Sequence, residues 1–200
     1  MKSWILALFV VSLVILSGCV APKVCNTLSE EHLTFFQDYS IAMEDINLAS
    51  SYYTTAANNL DIGNEYVQSG EYNYESALVY LDEGTAQLKT AETSLDEAKA
   101  KLSALDGKAP HAFFEVELDN RQDQADALIL IVEDMNLLLS YSKQELYEIN
   151  YGSKDKADAF RKLYNSVLPT LGSDLEKLAQ LQADIDAHWS QNTGANAGQV

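Results

Sequence analysis

Between Tyr74 and Leu105 the apolar and small residues recur at alternating steps of three and four without a miss. Large residues fall at every seventh position, at Tyr74, Leu81, Leu88, Leu95 and Leu102, with small ones between them at Ala77, Gly84, Ala91 and Ala98. Helical periodicity puts all of these on one seam. A seven-residue repeat winds such a seam left-handedly on a partner, as in a coiled coil, and its small positions let two backbones approach closely. A chain carrying this segment is committed to packing helix against helix.

The remainder of the chain obeys the same period. A first stripe runs from Leu28 through Phe35, Tyr39, Ala42, Ile46, Ala49, Tyr53, Ala56, Leu60, Gly63 and Val67. Thr27 and Glu30 form a capping box at its start, and Ser69-Gly70 marks its end. Asn58, Asn59 and Gly63 weaken its middle, which predicts a kink over 58–63. Asp106-Gly107-Lys108-Ala109-Pro110 stops the second helix. A third stripe, Phe114, Leu118, Arg121, Ala125, Leu128, Val132, Met135, Leu139, Ser142, Leu146 and Ile149, is broadened by Ile129, Ile131, Leu137 and Leu138. It is expected to be the most buried of the set. The fourth begins near Ser153 with Phe160, Tyr164, Val167 and Leu171, then changes phase to Leu175, Leu178, Leu181 and Ile185. Pro169 and Gly172 sit at the phase change, and Ser173 with Glu176 makes a second capping box, so the last helix is expected to be kinked or broken there.

Four long helices with short connections at 68–73, 106–113 and 150–152 must run antiparallel to their neighbours. The expected fold is all-α, an antiparallel up-down four-helix bundle over residues 28–189, followed by a disordered tail at 190–200. A chain of 200 residues suits one domain, and an apolar content of 47% suffices for its core. The spacing of Tyr74, Ala77, Leu81 and Gly84 is similar to the second helix of a tetratricopeptide unit. The first-helix pattern is missing and no second copy occurs, whereas a stable solenoid needs about three.

The N-terminus has a different character. Lys2 is followed by an apolar run from Trp4 to Leu16, interrupted only by Ser12, and then by Leu16-Ser17-Gly18-Cys19. The layout is that of a secretory signal with a short apolar core. The last four residues resemble the lipobox of bacterial and archaeal lipoproteins. That resemblance implies a signal peptide at 1–18, cleavage between Gly18 and Cys19, and a covalent diacylglyceryl lipid on Cys19, with residues 19–27 as a tether. It also implies an extracytoplasmic, membrane-attached protein of the cell envelope, on the outer face of the plasma membrane or in a periplasm. The competing readings are a plain cleaved signal and an uncleaved anchor. Residues 4–20 as a helix reach roughly 26 Å, short of a hydrocarbon core near 30 Å. Cys25 is the odd cysteine once Cys19 is lipidated, and it is either a free thiol or a link to a second copy.

Charge narrows the partners. There are 30 Asp and Glu against 13 Lys and Arg, a formal net charge of −17, which argues against nucleic acid. From residue 24 to 88 there is no Lys or Arg at all. The first helix therefore lacks the Glu–Lys pairs that support long exposed helices. Its acids are either a solvated face or a docking face for a protein with a basic surface. The candidate face comprises Glu30, Glu31, Glu44 and Asp45, with the off-stripe tyrosines Tyr52, Tyr66 and Tyr72 as adaptable contacts. Tyr39, Tyr53 and Tyr74 fall on the core stripes.

Catalytic chemistry is not signalled. No HExxH, Walker loop, GxGxxG, GxSxG or Glu-x-x-His occurs. Asp184 and His188 stand at i, i+4, half of a metal site at most and more simply a solvated or capping pair. The expectation is therefore not an enzyme but a structural or protein-interaction module, with no catalytic residues, no metal and no cofactor beyond the lipid. The alternative is a ligand-binding or sensor bundle, a solute-binding lipoprotein. A cavity of about 300 Å³ or more with convergent polar groups favours the alternative; a packed core with an exposed tyrosine patch favours the module. The anchor is testable directly. Intact-mass measurement of protein extracted from native membranes is expected to show a species starting at Cys19 with added lipid mass, lost in Cys19→Ala. A full-length species starting at Met1 would sink the lipoprotein reading.

Overall fold

The computed structural model describes residues 29–68 and 73–194. They form four helices: α1 (Glu30–Gln68), α2 (Tyr74–Ala104), α3 (Ala112–Tyr151) and α4 (Lys154–Gly194). The protein is an all-α antiparallel bundle, and no strand occurs among the described residues. α1 pairs with α2 and α3 with α4 along their lengths, α2–α3 contacts join the two hairpins, and α1 leans across onto α3. α4 lies against α3 rather than against α1, which leaves a gap between the first and last helices.

Each helix start has a local chemical cause. The side chain of Asn73 accepts from the Ser76 amide at 3.0 Å, and the His111 ring accepts from the Phe113 amide at 3.1 Å. α1 is capped by Ser29, whose Oγ accepts from the His32 amide at 3.2 Å, two residues later than the Thr27 box predicts. Thr27, Ser69 and Gly70 lie outside the described residues. After α2, Gly107 takes a φ of 69°, the left-handed region that glycine enters without a Cβ penalty, and turns the chain toward α3.

The seam of α2 is buried as its repeat requires, with Ala77, Leu81, Gly84, Leu88, Ala91, Leu95, Ala98 and Leu102 all inside. Its glycine is a contact point. A Cβ on Gly84 would stand 3.1 Å from a Leu139 methyl and 3.4 Å from the Ala56 carbonyl oxygen. The same holds opposite on α1, where a Cβ on Gly63 would stand 2.7 Å from a Leu81 methyl. α1 runs unbroken through 58–63, and Gly63 makes room there for Leu81. Leu118, Ile131, Val132, Leu138, Leu139 and Leu146 make α3 the central helix, while Leu137 points to solvent.

α4 corrects three sequence expectations. It is one helix through Pro169, which leaves the continuous form of the two expected, and Ser173 stands exposed in its interior rather than at a cap. The phase change disappears when Gln182 is placed on the stripe. Phe160, Tyr164, Val167, Leu171, Leu178, Gln182, Ile185 and Trp189 then follow one helical line, and Gln182 binds Gln124 of α3 at 3.0 Å. The helix also extends over 190–194, into the segment expected to be a disordered tail. Trp189 packs edge-on against Phe113 with centroids 4.9 Å apart, and Asn192 donates to the His188 carbonyl, so the last turn has both tertiary and local support.

Polar groups are buried where α3 meets its neighbours. Glu117 is fully buried, and its Oε1 accepts from the Tyr39 hydroxyl at 2.7 Å and Arg121 Nε at 2.6 Å. Arg121 Nη1 continues to Gln124 at 2.9 Å, and Gln124 to Gln182, so one chain of bonds ties α1, α3 and α4. Burial pushes the Tyr39 phenol far above its ordinary range, with Arg121 opposing and Glu117 reinforcing, so it stays a donor.

The glycines give opposite expectations for one substitution. Gly63→Ala forces a Cβ against Leu81 and is expected to cost about 1–3 kcal/mol by overpacking. That exceeds the roughly 1 kcal/mol an alanine gains over glycine in a helix. A Cβ on the helical Gly172 meets nothing within 4 Å, so Gly172→Ala is expected to stabilise by about 0.5–1 kcal/mol. Denaturant midpoints of the full chain in mild detergent decide it; shifts of the same sign would refute the account.

Candidate functional site at the hairpin end

The C-terminus of α1, the N-terminus of α2, the C-terminus of α3 and the N-terminus of α4 meet at one end of the bundle. α1 has 39 residues, so this end lies about 58 Å along the axis from Glu30. Two features converge on it: a polar cleft and a group of aromatic side chains.

The cleft opens in the gap between α1 and α4. It has a volume of about 370 Å³ and is lined by Asp61, Asn64 and Glu65 from α1 and by Arg161, Tyr164 and Asn165 from α4. Asn64 forms its floor. Buried on the core side of α1, it accepts from Ser142 of α3 at 3.0 Å and donates to the Tyr164 hydroxyl at 3.2 Å, bridging three helices. Arg161 is fixed twice. Its Nε donates to Glu145 of α3 at 2.9 Å, and its guanidinium lies 5.6 Å from the centre of the Tyr164 ring. Glu145 is buried, and its second oxygen has no hydrogen-bond partner among the described residues.

The electrostatics follow from this geometry. Burial raises the Glu145 carboxyl, and the neighbouring Arg161 only partly offsets it. The Asp61 carboxyl is raised by the protein around it and by Glu65 one turn on, although the residue is exposed. Tyr164 is raised by burial first and then by the charge of Asp61. Tyr53 is pushed up to about 12 by burial, with Asp61 again adding. The charge of Asp61 thus adds to the burial of both tyrosines.

The aromatic group is built from three helices. Tyr66 stacks on Tyr80 with centroids 5.9 Å apart; Tyr74 meets Tyr151 edge-on at 5.2 Å, and Tyr151 meets Tyr147 at 5.5 Å. Tyr147 and Tyr151 are 54% and 65% exposed, the most open tyrosines here, and Val79 and Ile149 are exposed on the same end.

The residues singled out from sequence fare unevenly. Glu30, Glu31 and Glu44 are exposed, but Asp45 is not a free acid: it pairs with Lys101 of α2 at 2.5 Å, joining the two helices. Glu30 and Glu31 stand at the far end of α1 from the cleft. Tyr52 and Tyr66 are half-buried and packed on the core rather than open. Cys19, Gly18, Cys25 and Tyr72 lie outside the described residues. His188 stacks on Phe113 with centroids 4.3 Å apart, and its Nε2 meets the Phe113 carbonyl at 3.1 Å. It is a packing residue, and among the described residues no group of three His, Cys, Asp or Glu could hold a metal ion. Sequence reading missed Asn64, Arg161, Tyr147 and Tyr151. The available signal was a polar residue on each facing stripe, Asn64 beside Gly63 on α1 and Ser142 on α3, at the level where they pair.

No protein-family model, no curated protein and no solved structure matches the chain. Among the described residues no helix is long and apolar enough to cross a membrane.

The raised Asp61 carboxyl has a signed consequence. A carboxyl that holds its proton more tightly when folded costs stability as pH rises from about 4, the ordinary aspartate range, through its raised value. Asp61→Asn is therefore expected to raise the denaturant midpoint at pH 7, and the gain is expected to vanish by about pH 3, where both carboxyls are protonated. A pH-independent difference would refute the electrostatic origin.

Proposed function

We propose that the protein is a lipid-anchored, extracytoplasmic helical bundle that serves the cell envelope as a protein-interaction module. Its recognition surface, on this reading, is the hairpin end rather than the α1 face as a whole. The observation that carries the reading is the separation of roles along the bundle. At the Glu30 end of α1, Phe35, Phe36, Phe113 and Phe114 pack against one another and against Tyr39, His188 and Trp189. The exposed tyrosines and the polar cleft collect at the other end, about 58 Å away. A tether on Cys19 would hold the first end near a bilayer and direct the second away from it. Repulsion between an acidic domain and an anionic leaflet supports the same posture. A partner with a basic surface suits α1, whose seven acids are accompanied by no Lys or Arg.

The second reading, a solute-binding or sensor lipoprotein, is favoured by the cleft itself. Its volume of about 370 Å³ falls in the size range of small-ligand sites and polar groups converge on it, but it is an open groove with a polar rather than an apolar lining. Both readings use the same end of the bundle.

Site-specific photocrosslinking in native membranes tests the module. A photoreactive residue at position 147 or 151 is expected to yield a discrete protein adduct that weakens with salt, while one at the exposed position 108, at the opposite end, yields none. Identical patterns from both ends, or no adduct from either tyrosine position, would remove the hairpin end as the recognition surface.

A further inference from the structure

The outward face of α1 carries a pattern that a solvated helix does not need. Ile41, Leu48, Thr55 and Ile62 recur at every seventh position, and all four are exposed. They form a second seam beside the buried line Phe35, Ala42, Ala49 and Ala56 that packs α1 into the bundle. From residue 46 to 60 the helix has no charged side chain, the longest such stretch in any of the four helices. Over a similar length α2 exposes Asp82, Glu83, Lys89, Glu92, Asp96 and Glu97. Exposed apolar residues scattered singly need no explanation. A seven-residue spacing is different, because it keeps one line of side chains facing a partner helix along its whole length.

We propose that this seam packs against the same seam of a second copy of the chain, the two α1 helices running parallel. Charge selects the occupant. Two copies with a net charge of −17 each repel one another over most of their surface, and residues 46–60 are where their α1 helices can meet without like charges touching. A basic helix, by contrast, finds no acid along those residues. Where the charge-free stretch begins, Glu44 flanks one side of the seam and Asp45, bound by Lys101 of α2, flanks the other. In a parallel pair each flank faces the opposite flank of the second copy. Each Glu44, which has no ion pair among the described residues, then meets the second copy's Lys101, whose side chain is 33% exposed. The seam from Ile41 to Ile62 is about 32 Å long, enough for a continuous helix–helix contact. Parallel pairing also brings both chains in from the same end, as the proposed anchor on one bilayer requires.

Sedimentation of the full chain in mild detergent, over a range of protein concentrations, is expected to show a monomer–dimer equilibrium. Leu48→Lys/Ile62→Lys is expected to raise its dissociation constant about a hundredfold or more, since each copy loses two apolar side chains from the contact. Both positions are exposed in the single chain, so the denaturant midpoint of the monomer is expected to hold. The control Leu137→Lys/Leu163→Lys changes side chains that are 44% and 43% exposed, matched to Leu48 at 43%, on α3 and α4. It is expected to leave the dimer intact. Disulfide trapping reads the register. In a Cys25→Ala background, Ile41→Cys and Thr55→Cys are each expected to give a covalent homodimer that the parent chain lacks. A monomer at every concentration, equal loss of the dimer in both double variants, or trapping at 55 without trapping at 41 would overturn the proposal. The seam owes nothing to the hairpin end, so this idea and the crosslinking at positions 147 and 151 fall separately.

Discussion

α1 contains 39 residues, seven acids and no Lys or Arg, so no ion pair along its own surface can support it as a helix. It is held by α2. The two backbones come close enough that Leu81 occupies the space of a Gly63 side chain, and the Ala56 carbonyl stands against Gly84. That approach buries Ala42, Ile46, Ala49, Ala56 and Leu60 against the leucine seam of α2. Among the described residues the ion pair between these helices, Asp45 with Lys101, draws its cation from α2 because α1 has none. Everything further depends on this pairing: where α1 sits relative to α3, and the gap left between α1 and α4.

α3 takes the centre by a different route. Its stripe carries Glu117, Arg121, Gln124, Ser142 and Glu145 among the leucines, and each meets a polar group from another helix or its own next turn. Buried ion pairs of this kind add little net stability but impose a large penalty when one partner is lost. Their effect is to select a register. Tyr39 must reach Glu117 and Gln182 must reach Gln124, and a slip of one helix past another by a turn strands all four. At the hairpin end the same logic fixes Asn64, Tyr164 and Arg161, and the cleft is the space left once those contacts are made. A site built on a registration network is preorganised, because the groups that shape it are also the groups that align the helices.

Much of the fold was legible because helix packing writes itself into spacing. The seam from Tyr74 to Leu102, the short connections and the central position of α3 follow from the recurrence of apolar residues and need no further information. The misreadings share one cause. Gly63 looked like a weak point, and Leu181 like a change of phase, because a single stripe carries no record of what faces it. Gly63 is explained by Leu81 on α2, and the line of α4 by Gln124 on α3. Pro169 left two forms open for the same reason, and the continuous helix stands because a packing face on both sides of a proline lets the helix run through it. The expected tail from residue 190 was polar in composition, yet Trp189 and the ring of Phe113 carry the helix to Gly194.

The sequence by itself determined the class of fold, the order and lengths of the helices, the acidic character of α1 and, through Leu16-Ser17-Gly18-Cys19, the expectation of a lipid anchor. These are local properties: periodicity, caps, composition and a contiguous motif. Only the tertiary structure decided which polar residues are joined, that Asp45 is bound while Asp61 and Glu65 are not, and that Tyr147 and Tyr151 rather than Tyr52 are open. The physical reason is distance along the chain. Asn64 and Tyr164 are 100 residues apart, and Tyr39 and Glu117 are 78 apart. No spacing rule links such pairs, and they meet only because four helices of this register have no other way to satisfy both their leucines and their buried polar groups.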